Sequence, residues 1–242
     1  MPSARFDAPL DLARVQSAGL WNSRLILVGA LIAAASVLAA WGAVATGWGN
    51  WFTTTVIVIA AAASVSLVIS SLIRRRMLLL LVGGSGTACS IAESGITLAG
   101  APEIAWGDLE FIAILNDRPR TDRLRGVPLF GRLGELTIKA GSGTILCEIA
   151  VHDGEALRRR FPSGAAARRV TLYGRWPDGS RRGVLPLLLD AVLSEPATEA
   201  AVAAILSAAT EHGVPTAMHD STVANLRWKA PRLDPEWPRP VS

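Results

Sequence analysis

The pattern of hydrophobic and polar positions divides this chain of 242 residues into an apolar N-terminal part and a mixed remainder. Residues 25–73 contain no Asp, Glu, Lys, Arg or His. A helix on a soluble surface needs a polar stripe, so this run predicts membrane-spanning helices, each of about 20 apolar residues. Two glycines and an asparagine in residues 46–50 (TGWGN) mark a turn. The pattern therefore predicts a helical hairpin of residues 24–46 and 51–73.

Basic residues at the ends of this hairpin predict its orientation. Arg24 precedes the first helix, Arg74, Arg75 and Arg76 follow the second, and the turn carries no charge. Arginine-rich flanks stay on the cytoplasmic side of a membrane. We therefore expect a multi-pass protein of the inner (cytoplasmic) cell membrane, with both termini in the cytoplasm.

A cleaved signal peptide is the alternative interpretation of the first helix. Residues 25–40 would be its apolar region, and residues 43–45 (AVA) would be a small-x-small cleavage site. The long preceding segment and the full spanning length of the apolar stretch argue against cleavage. In either case, the three arginines after the second helix keep the following domain in the cytoplasm.

Small residues recur every four positions on both predicted helices. Ala35, Ala39 and Ala43 share one face of the first helix, and Ala60 and Ser64 share a face of the second. Small side chains allow helices to approach closely in lipid. The two faces either pack the hairpin together or contact a partner helix or a second copy of the chain.

The remainder of the chain has the pattern of an α+β domain. Strand-like segments cover residues 95–100 and 103–115, and residues 134–140 and 144–151 are predicted to form a hairpin around a glycine-containing turn. A short helix is expected at residues 154–161.

A second hairpin and a longer helix follow. Residues 169–176 and 183–189 flank the turn sequence PDGS, and Pro186 predicts that the returning strand is an edge strand or ends early. Residues 195–212 have the apolar spacing of a helix. The proline-rich segment 229–242 is expected to be disordered.

Residues 95–98 (GITL) and 104–109 (IAWGDL) follow the helical hairpin as two consecutive predicted strands. In this arrangement the chain resembles bacterial membrane proteins in which two transmembrane helices precede a pleckstrin-homology-like (PH-like) domain, over residues 24 to about 161. The resemblance implies an antiparallel sheet capped by a helix and no enzymatic activity. The expected division is a cytoplasmic segment 1–23, the hairpin 24–73, a PH-like domain 74–165, a β-hairpin and helix extension 166–228 and a tail 229–242.

Charge and composition change this picture little. The net charge of +4 is mildly basic, and the bases are not interleaved with aromatic residues, so nucleic-acid binding is not expected. Two cysteines cannot form a disulfide framework. Abundant alanine, and arginine in place of lysine, are typical of a bacterial genome rich in G and C.

Few residues suggest catalysis or metal binding. His152 and Asp153 could form a base and its orienting carboxylate, but an Asp before a glycine is also an ordinary helix cap. His212, His219 and Asp220 match no zinc spacing. The glycine-rich residues 83–86 lack the Lys-Ser/Thr of a phosphate-binding loop. We predict no catalytic residue, metal or cofactor.

Clustered arginines are the remaining candidates for binding. A domain held beside an anionic leaflet can use basic side chains to contact lipid headgroups or an acidic partner, and the alternative is a solvated surface of mixed charge. The candidates are Arg118, Arg120, Arg123, Arg125, Arg158, Arg159 and Arg160.

The function predicted from these features is a non-enzymatic interaction or scaffolding module, anchored in the lipid bilayer and serving as an accessory subunit of a larger membrane complex. The alternative is an enzyme or ligand-binding sensor at the membrane surface, which would need a pocket with converging polar groups. His152, Asp153 and an arginine cluster lining one deep pocket would favour this alternative.

Overall fold

A computed structural model of the chain describes residues 5–82, 86–119 and 143–238. A short strand, β1 (Phe6–Pro9), precedes two long antiparallel helices, α1 (Leu12–Ala45) and α2 (Trp51–Val82). Both helices are long and apolar enough to cross a membrane. The α1 helix has 34 residues, about 50 Å at 1.5 Å per residue, against a bilayer core of about 30 Å.

Both helices extend beyond their predicted cytoplasmic ends, 24 and 73. Asp11 caps α1 by accepting a hydrogen bond from the Arg14 backbone N–H at 3.0 Å. Val15 and Ala18 near the start of α1, and Leu78 and Leu81 near the end of α2, are buried in the core of the following domain. This burial explains why the helices do not end at the boundary of the charge-free run.

Small and polar residues spaced seven apart form the seam between α1 and α2. Asn22, Gly29 and Ser36 are buried on α1, and Ser64 and Ser71 are buried on α2. This spacing is typical of helices that cross at a shallow angle. A Cβ atom at Gly29 would lie 2.7 Å from the Cγ2 of Val68, so the helices approach too closely there for a larger residue.

The predicted small-residue faces are only partly used in this seam. Ser64 lies in it, whereas Ala35 and Ala39 are exposed. The exposed alanines lie on the side of α1 that turns away from α2. The face predicted on the first helix therefore does not hold the hairpin together.

The first sheet joins the two ends of the hairpin. Strands β1, β2 (Thr87–Ile91), β3 (Gly95–Leu98) and β4 (Ile104–Ala105) form an antiparallel sheet in that order. Phe6, before the hairpin, lies opposite Ile91, after it. The sequence pattern did not predict β1 or β2, because four- and five-residue strands beside such long helices give little periodic signal.

The second sheet contains β5 (Leu109–Asn116), β6 (Ile145–Val151), β7 (Thr171–Arg175), β8 (Arg181–Leu188) and β9 (Thr216–His219). Their order in the sheet is β7-β8-β6-β5-β9. The β9 strand is parallel to β5, and the other pairs are antiparallel. A 3-10 turn at Trp106–Asp108 divides the predicted segment 103–115 into β4 and β5.

The described helices after the hairpin are mostly short. They are α3 (Gly154–Arg159), α4 (Gly164–Ala167), α5 (Leu189–Val192), α6 (Glu195–Glu211) and α7 (Thr222–Leu233). The two longest, α6 and α7, cover opposite faces of the five-stranded sheet. The predicted helices at 154–161 and 195–212 are confirmed as α3 and α6.

Two expectations about the second half of the chain are wrong, and a third, the edge position of Pro186, holds only locally. The predicted boundary at residue 165 separates strands of one sheet, because β7 and β8 continue the sheet that β5 and β6 begin. Disorder does not begin at Lys229, because α7 extends to Leu233 and packs against the sheet. The β8 strand is interior, although β7 pairs with it only up to Val184, so Pro186 has a single neighbouring strand, β6.

The predicted hairpin of residues 134–140 with 144–151 is described only in its second segment. Strand β6 lies where the second segment was predicted, but β5 and β8 occupy both of its edges. Residues 134–140 lie outside the described residues. The hairpin of β7 and β8 is confirmed, and Gly179 in its turn has a φ of +83°.

The five-stranded sheet has two covered faces. Its inner face, with Ile112, Ile149 and Leu185, packs against α6 and the first sheet in one large apolar core. Its outer face, with Phe111 and Val184, is covered by α7 in a smaller cluster. Two long apolar helices followed by an α+β region thus describe the coarse fold.

Candidate functional site

The junction between hairpin and domain is closed by backbone hydrogen bonds. The Leu10 N–H donates to the Gly86 carbonyl and the Asp11 N–H donates to the Val192 carbonyl, both at 2.9 Å. The Arg14 guanidinium donates to the Leu193 carbonyl. The start of α1 is therefore bonded both to the chain after α2 and to the end of α5.

Arg169 secures the other side of the junction. Its side chain is buried, and Nη1 donates to the Ala99 carbonyl at 2.6 Å. Burial lowers the pKa of Arg169. A Cβ at Gly100, whose φ is +63°, would lie 2.6 Å from the Leu80 carbonyl oxygen and 3.1 Å from Nη1 of Arg169. The guanidinium thus lies beside the last turn of α2, where unpaired carbonyls favour a cation.

The first predicted arginine cluster lies largely outside the described residues. Arg118 pairs with Glu195 at 3.1 Å and lies 4.0 Å from Glu199, both on α6. Its side chain is therefore already engaged by carboxylates. Arg120, Arg123 and Arg125 lie outside the described residues.

The second cluster is separated by the fold. Arg158 donates from Nε and Nη2 to the Val170 carbonyl at 3.0 and 2.6 Å. Arg160 donates to the Glu103 carbonyl and lies 3.8 Å from Asp108. Arg159 is mostly exposed, with Nη2 4.0 Å from Oδ2 of Asp153. The three side chains thus point to different neighbours and do not form one basic patch.

The arginines predicted to set the topology lie together near the end of the hairpin that adjoins the domain. We name Arg24, Arg74, Arg75 and Arg76 the arginine collar. The Arg24 guanidinium lies 5.0 Å from the centroid of the Trp21 ring. Arg24, Arg75 and Arg76 are exposed and Arg74 is half-buried. Within the described residues, no collar arginine forms an ion pair with a carboxylate.

His152 lies in a second polar cluster. The Nδ1 atom of His152 lies 2.6 Å from Oε2 of Glu110, and this oxygen is also 3.2 Å from Nε of Arg182. The Arg182 guanidinium lies 4.6 Å from the centroid of the Trp176 ring. The register of β5 with β6 shifts between Leu109 and Phe111, and such a bulge redirects the intervening side chain, Glu110.

The carboxylate in contact with His152 is therefore that of Glu110 and not that of Asp153, its neighbour in sequence. Asp153 caps α3, because its Oδ1 accepts from the Ala156 N–H at 2.9 Å. The helix-cap interpretation of Asp153 is confirmed. Glu110 was missed because its contact depends on strand pairing and a bulge, which the residue pattern of β5 does not reveal.

A small cleft opens beside this group. Its volume is about 110 Å³, and its polar lining comprises Asp108, His152, Asp153 and Arg160. Pockets for organic ligands usually measure about 300–1,000 Å³. At about 30 Å³ per water molecule, this cleft holds a few waters or one small ion.

The other histidines have aromatic neighbours. His212, at the end of α6, stacks on Trp106 with ring centroids 4.6 Å apart. His219 lies 5.8 Å from Trp228. Within residues 5–82, 86–119 and 143–238, no three His, Cys, Asp or Glu side chains are grouped as metal ligands.

A buried ion pair lies under α7. Glu148 on β6 accepts from Lys229 Nζ at 2.5 and 2.7 Å and from the Asn225 side-chain amide at 2.8 Å. The Glu148 and Lys229 side chains are 9% and 13% exposed. Neither residue is near the cleft, and the pair fixes the position of α7 on the sheet.

The two cysteines are buried and free. Burial raises the pKa of Cys89 to about 12, with a smaller contribution from the negative charge of Asp7. Burial also raises the pKa of Cys147. Both thiols therefore stay protonated at neutral pH and are not nucleophiles.

Comparisons with protein-family models, with curated proteins and with solved structures return no match to this chain. The residues of the chain itself therefore carry the functional proposal.

Proposed function

We propose that this protein is a non-enzymatic interaction module, anchored in the inner membrane by α1 and α2, which holds its α+β domain against the cytoplasmic surface for a partner protein. One observation carries the proposal. The β1 strand before the hairpin and the β2 strand after it are neighbours in one sheet, from Phe6 opposite Ile91 to Pro9 opposite Thr87.

This pairing favours a presenting role because it ties the chain that precedes the anchor to the chain that follows it. The α1 helix enters the domain through Asp11 and Arg14, and the end of α2 is buried through Leu78 and Leu81. A domain held in this way keeps one orientation to the membrane. A fixed orientation serves a partner in the same membrane better than it serves diffusible small molecules.

The topology of the proposal follows from the same sheet. Strands that pair must lie on one side of the membrane, so both ends of the hairpin share a compartment, and the arginine collar favours the cytoplasm. Cleavage after residue 45 would remove β1 together with α1. The bonding of β1 to β2 thus supports a retained hairpin over a signal peptide.

The PH-like relationship remains part of this proposal. An antiparallel first sheet, a second sheet and a helix against it support the resemblance. The parallel pairing of β9 with β5 departs from the expected antiparallel sheet. A PH-like domain would be consistent with a binding role without catalysis.

The test is the recovery of a partner that depends on the rigid junction. Full-length tagged chain is purified from cross-linked native membranes in three forms: wild type, a Gly-Ser insertion between Leu10 and Asp11, and the same insertion between Gly47 and Trp48. We expect a stoichiometric protein with the wild type and the turn insertion, and its loss with the junction insertion. The absence of a stoichiometric partner, or equal recovery from all three, would overturn the proposal.

The topology is tested separately by cysteine labelling. Asn50→Cys is expected to react with a membrane-impermeant maleimide in intact spheroplasts, whereas Ser163→Cys reacts only after permeabilisation. The native cysteines are buried and give little background. Labelling of Ser163→Cys in intact cells would place the domain outside and contradict the orientation.

The second candidate function is a sensor or enzyme for a small ligand, favoured by the contact of Glu110 with His152 beside the cleft. A carboxylate that orients an imidazole is the arrangement of a general base. The small volume of the cleft argues against an organic substrate. This candidate is tested by following the NMR resonances of the His152 ring while small ions are added, with Glu110→Gln as control. A small ion that shifts these resonances in the wild type supports a site, and no response to any ion excludes one.

A further inference from the structure

The charge of the hairpin is entirely positive where it leaves the membrane. Between Asp11 and Glu93 the chain contains no Asp or Glu, while it contains Arg14 and the four arginines of the collar. Arg14 is engaged by the Leu193 carbonyl. Within the described residues no carboxylate pairs with a collar arginine, so these charges are available to an anion in the surroundings.

The collar residues lie at one depth of the hairpin. Gly29 faces Ser64 and Val68 across the seam. In an antiparallel pair with a rise of about 1.5 Å per residue, Arg24 then lies opposite residues near 71. Arg74 and Arg76 follow within about 5–8 Å along the axis. The four side chains therefore form one band around the hairpin.

This band separates two different surfaces. On the turn side, large apolar side chains such as Leu27, Ile69 and Ile73 are exposed, as they would be to lipid tails. On the other side, Val15 and Leu78 are buried in the domain. A band between lipid-facing apolar surface and domain lies at the depth of the headgroups, where Trp21 beside Arg24 is also typical.

We propose that the arginine collar is a binding site for anionic phospholipid headgroups, made by Arg24, Arg74, Arg75 and Arg76. The inference rests on the proposed membrane anchoring, and it replaces the domain arginines, such as Arg158, as the lipid contact. A guanidinium offers a planar fork of donors that matches phosphate oxygens. Arg158 and Arg160 of the domain have protein partners, whereas within the described residues no carboxylate pairs with the four cations of the collar.

The test measures lipid preference on the purified full-length chain. Protein in mild detergent is mixed with equal amounts of phosphatidylglycerol and phosphatidylcholine, and bound lipid is counted by native mass spectrometry. We expect phosphatidylglycerol to be preferred. Each Arg→Gln change in the collar is expected to lower the preference about fivefold, the ratio that corresponds to about 1 kcal/mol. The quadruple variant R24Q/R74Q/R75Q/R76Q should show almost none.

A matched control removes the same charge elsewhere. The variant R159Q/R168Q/R175Q/R227Q changes four exposed arginines of the domain and should retain the wild-type preference. Equal preference for both lipids in the wild type, or equal loss in both quadruple variants, would overturn the proposal. If the collar variant does not fold, Arg75→Gln and Arg76→Gln are measured singly, since both side chains are exposed.

Two further comparisons are made. One distinguishes a lipid headgroup from free phosphate, and the other distinguishes failure of the collar proposal from failure of the proposed function. Excess inorganic phosphate is expected to leave phosphatidylglycerol bound; its displacement would assign the site to a free anion and overturn the lipid assignment. The measurement contains no partner protein. A missing lipid preference would therefore refute the collar alone, and a missing partner in the membrane purification would refute the interaction module alone.

Discussion

The two faces of the five-stranded sheet are covered in different ways. The inner face meets α6, the first sheet and the start of α1, and its central side chains, such as Ile149 and Leu185, are entirely buried and apolar. Among the described residues, α7 is the element that covers the outer face. There Glu148 replaces an apolar side chain and is paired with Lys229 and Asn225.

The difference shows how the area of a contact affects its composition. Several elements interlock on the inner face, so packing alone fixes their positions. A single short helix on a flat sheet can shift along its axis with little loss of apolar contact. A buried ion pair has one good geometry, and we infer that it fixes the register of α7 at the expense of some stability.

Removing the carboxylate of this pair should give the largest effect. Glu148→Ala leaves the Lys229 ammonium buried without a partner, so we expect the free energy of unfolding to fall by about 3–5 kcal/mol. Hydrogen exchange of the α7 and β6 peptides in the detergent-solubilised chain measures the change. The double variant Glu148→Leu/Lys229→Met should recover most of the loss. A double variant as unstable as the single one would show that the pair itself, and not the orphaned charge, stabilises the fold.

A cavity on the inner face should give a comparable or smaller effect. Leu185→Ala removes a fully buried side chain from the apolar core, and about 2–5 kcal/mol should be lost. The matched control is Leu226→Ala on α7, where 49% of the residue is exposed and a change below about 0.5 kcal/mol is expected. Exchange rates of the β6 peptide compare the two. Similar losses at both sites would mean that the inner face is not the tighter one.

Polarity should be tolerated less well on the inner face than under α7. Cys147→Ser places a hydroxyl in a fully buried apolar site, which should cost about 1–3 kcal/mol. The control Cys147→Ala separates this cost from the loss of packing. The native thiol should resist alkylation at neutral pH because burial raises its pKa. Rapid labelling of the folded chain would show that the inner face is open to water.

The smallest effect is expected at the exposed ion pair outside both faces. Arg118→Ala removes the contact with Glu195, whose side chain is 70% exposed. Such surface pairs contribute about 0–1 kcal/mol because water and salt screen them. Thermal unfolding at low and high salt measures the contribution. A loss as large as that of Leu185→Ala would contradict the ranking of buried over exposed contacts.

The sequence predicted what depends on local pattern. The two apolar helices, the helix α6 and the β7–β8 hairpin each follow from periodicity or turn residues within one segment. The α7 helix was missed because Pro231, Pro235 and Pro238 suggested disorder. Its stability comes from Trp228 and Leu233 packing on the outer face, and no local rule contains that contact.

Contacts between distant segments account for the remaining differences. Strand β1 is only four residues long and pairs with a segment beyond the whole hairpin. Glu110 reaches His152 through a bulge, and Arg158 is satisfied by the Val170 carbonyl. Runs of arginine in the sequence indicated charge, but only the fold separates arginines with protein partners from those of the collar.

The pairing of β1 with β2 also sets an order for biogenesis. The β1 strand leaves the ribosome first, but its partner is synthesised only after both helices of the hairpin. In the membrane-anchored chain that we propose, the first sheet can close only after α1 and α2 have been inserted and have returned the chain to the side that holds β1. A chain inserted with a single span would leave β1 and β2 on opposite sides of the bilayer. The domain of such a chain could not complete its first sheet, so folding of the domain depends on correct insertion of the hairpin.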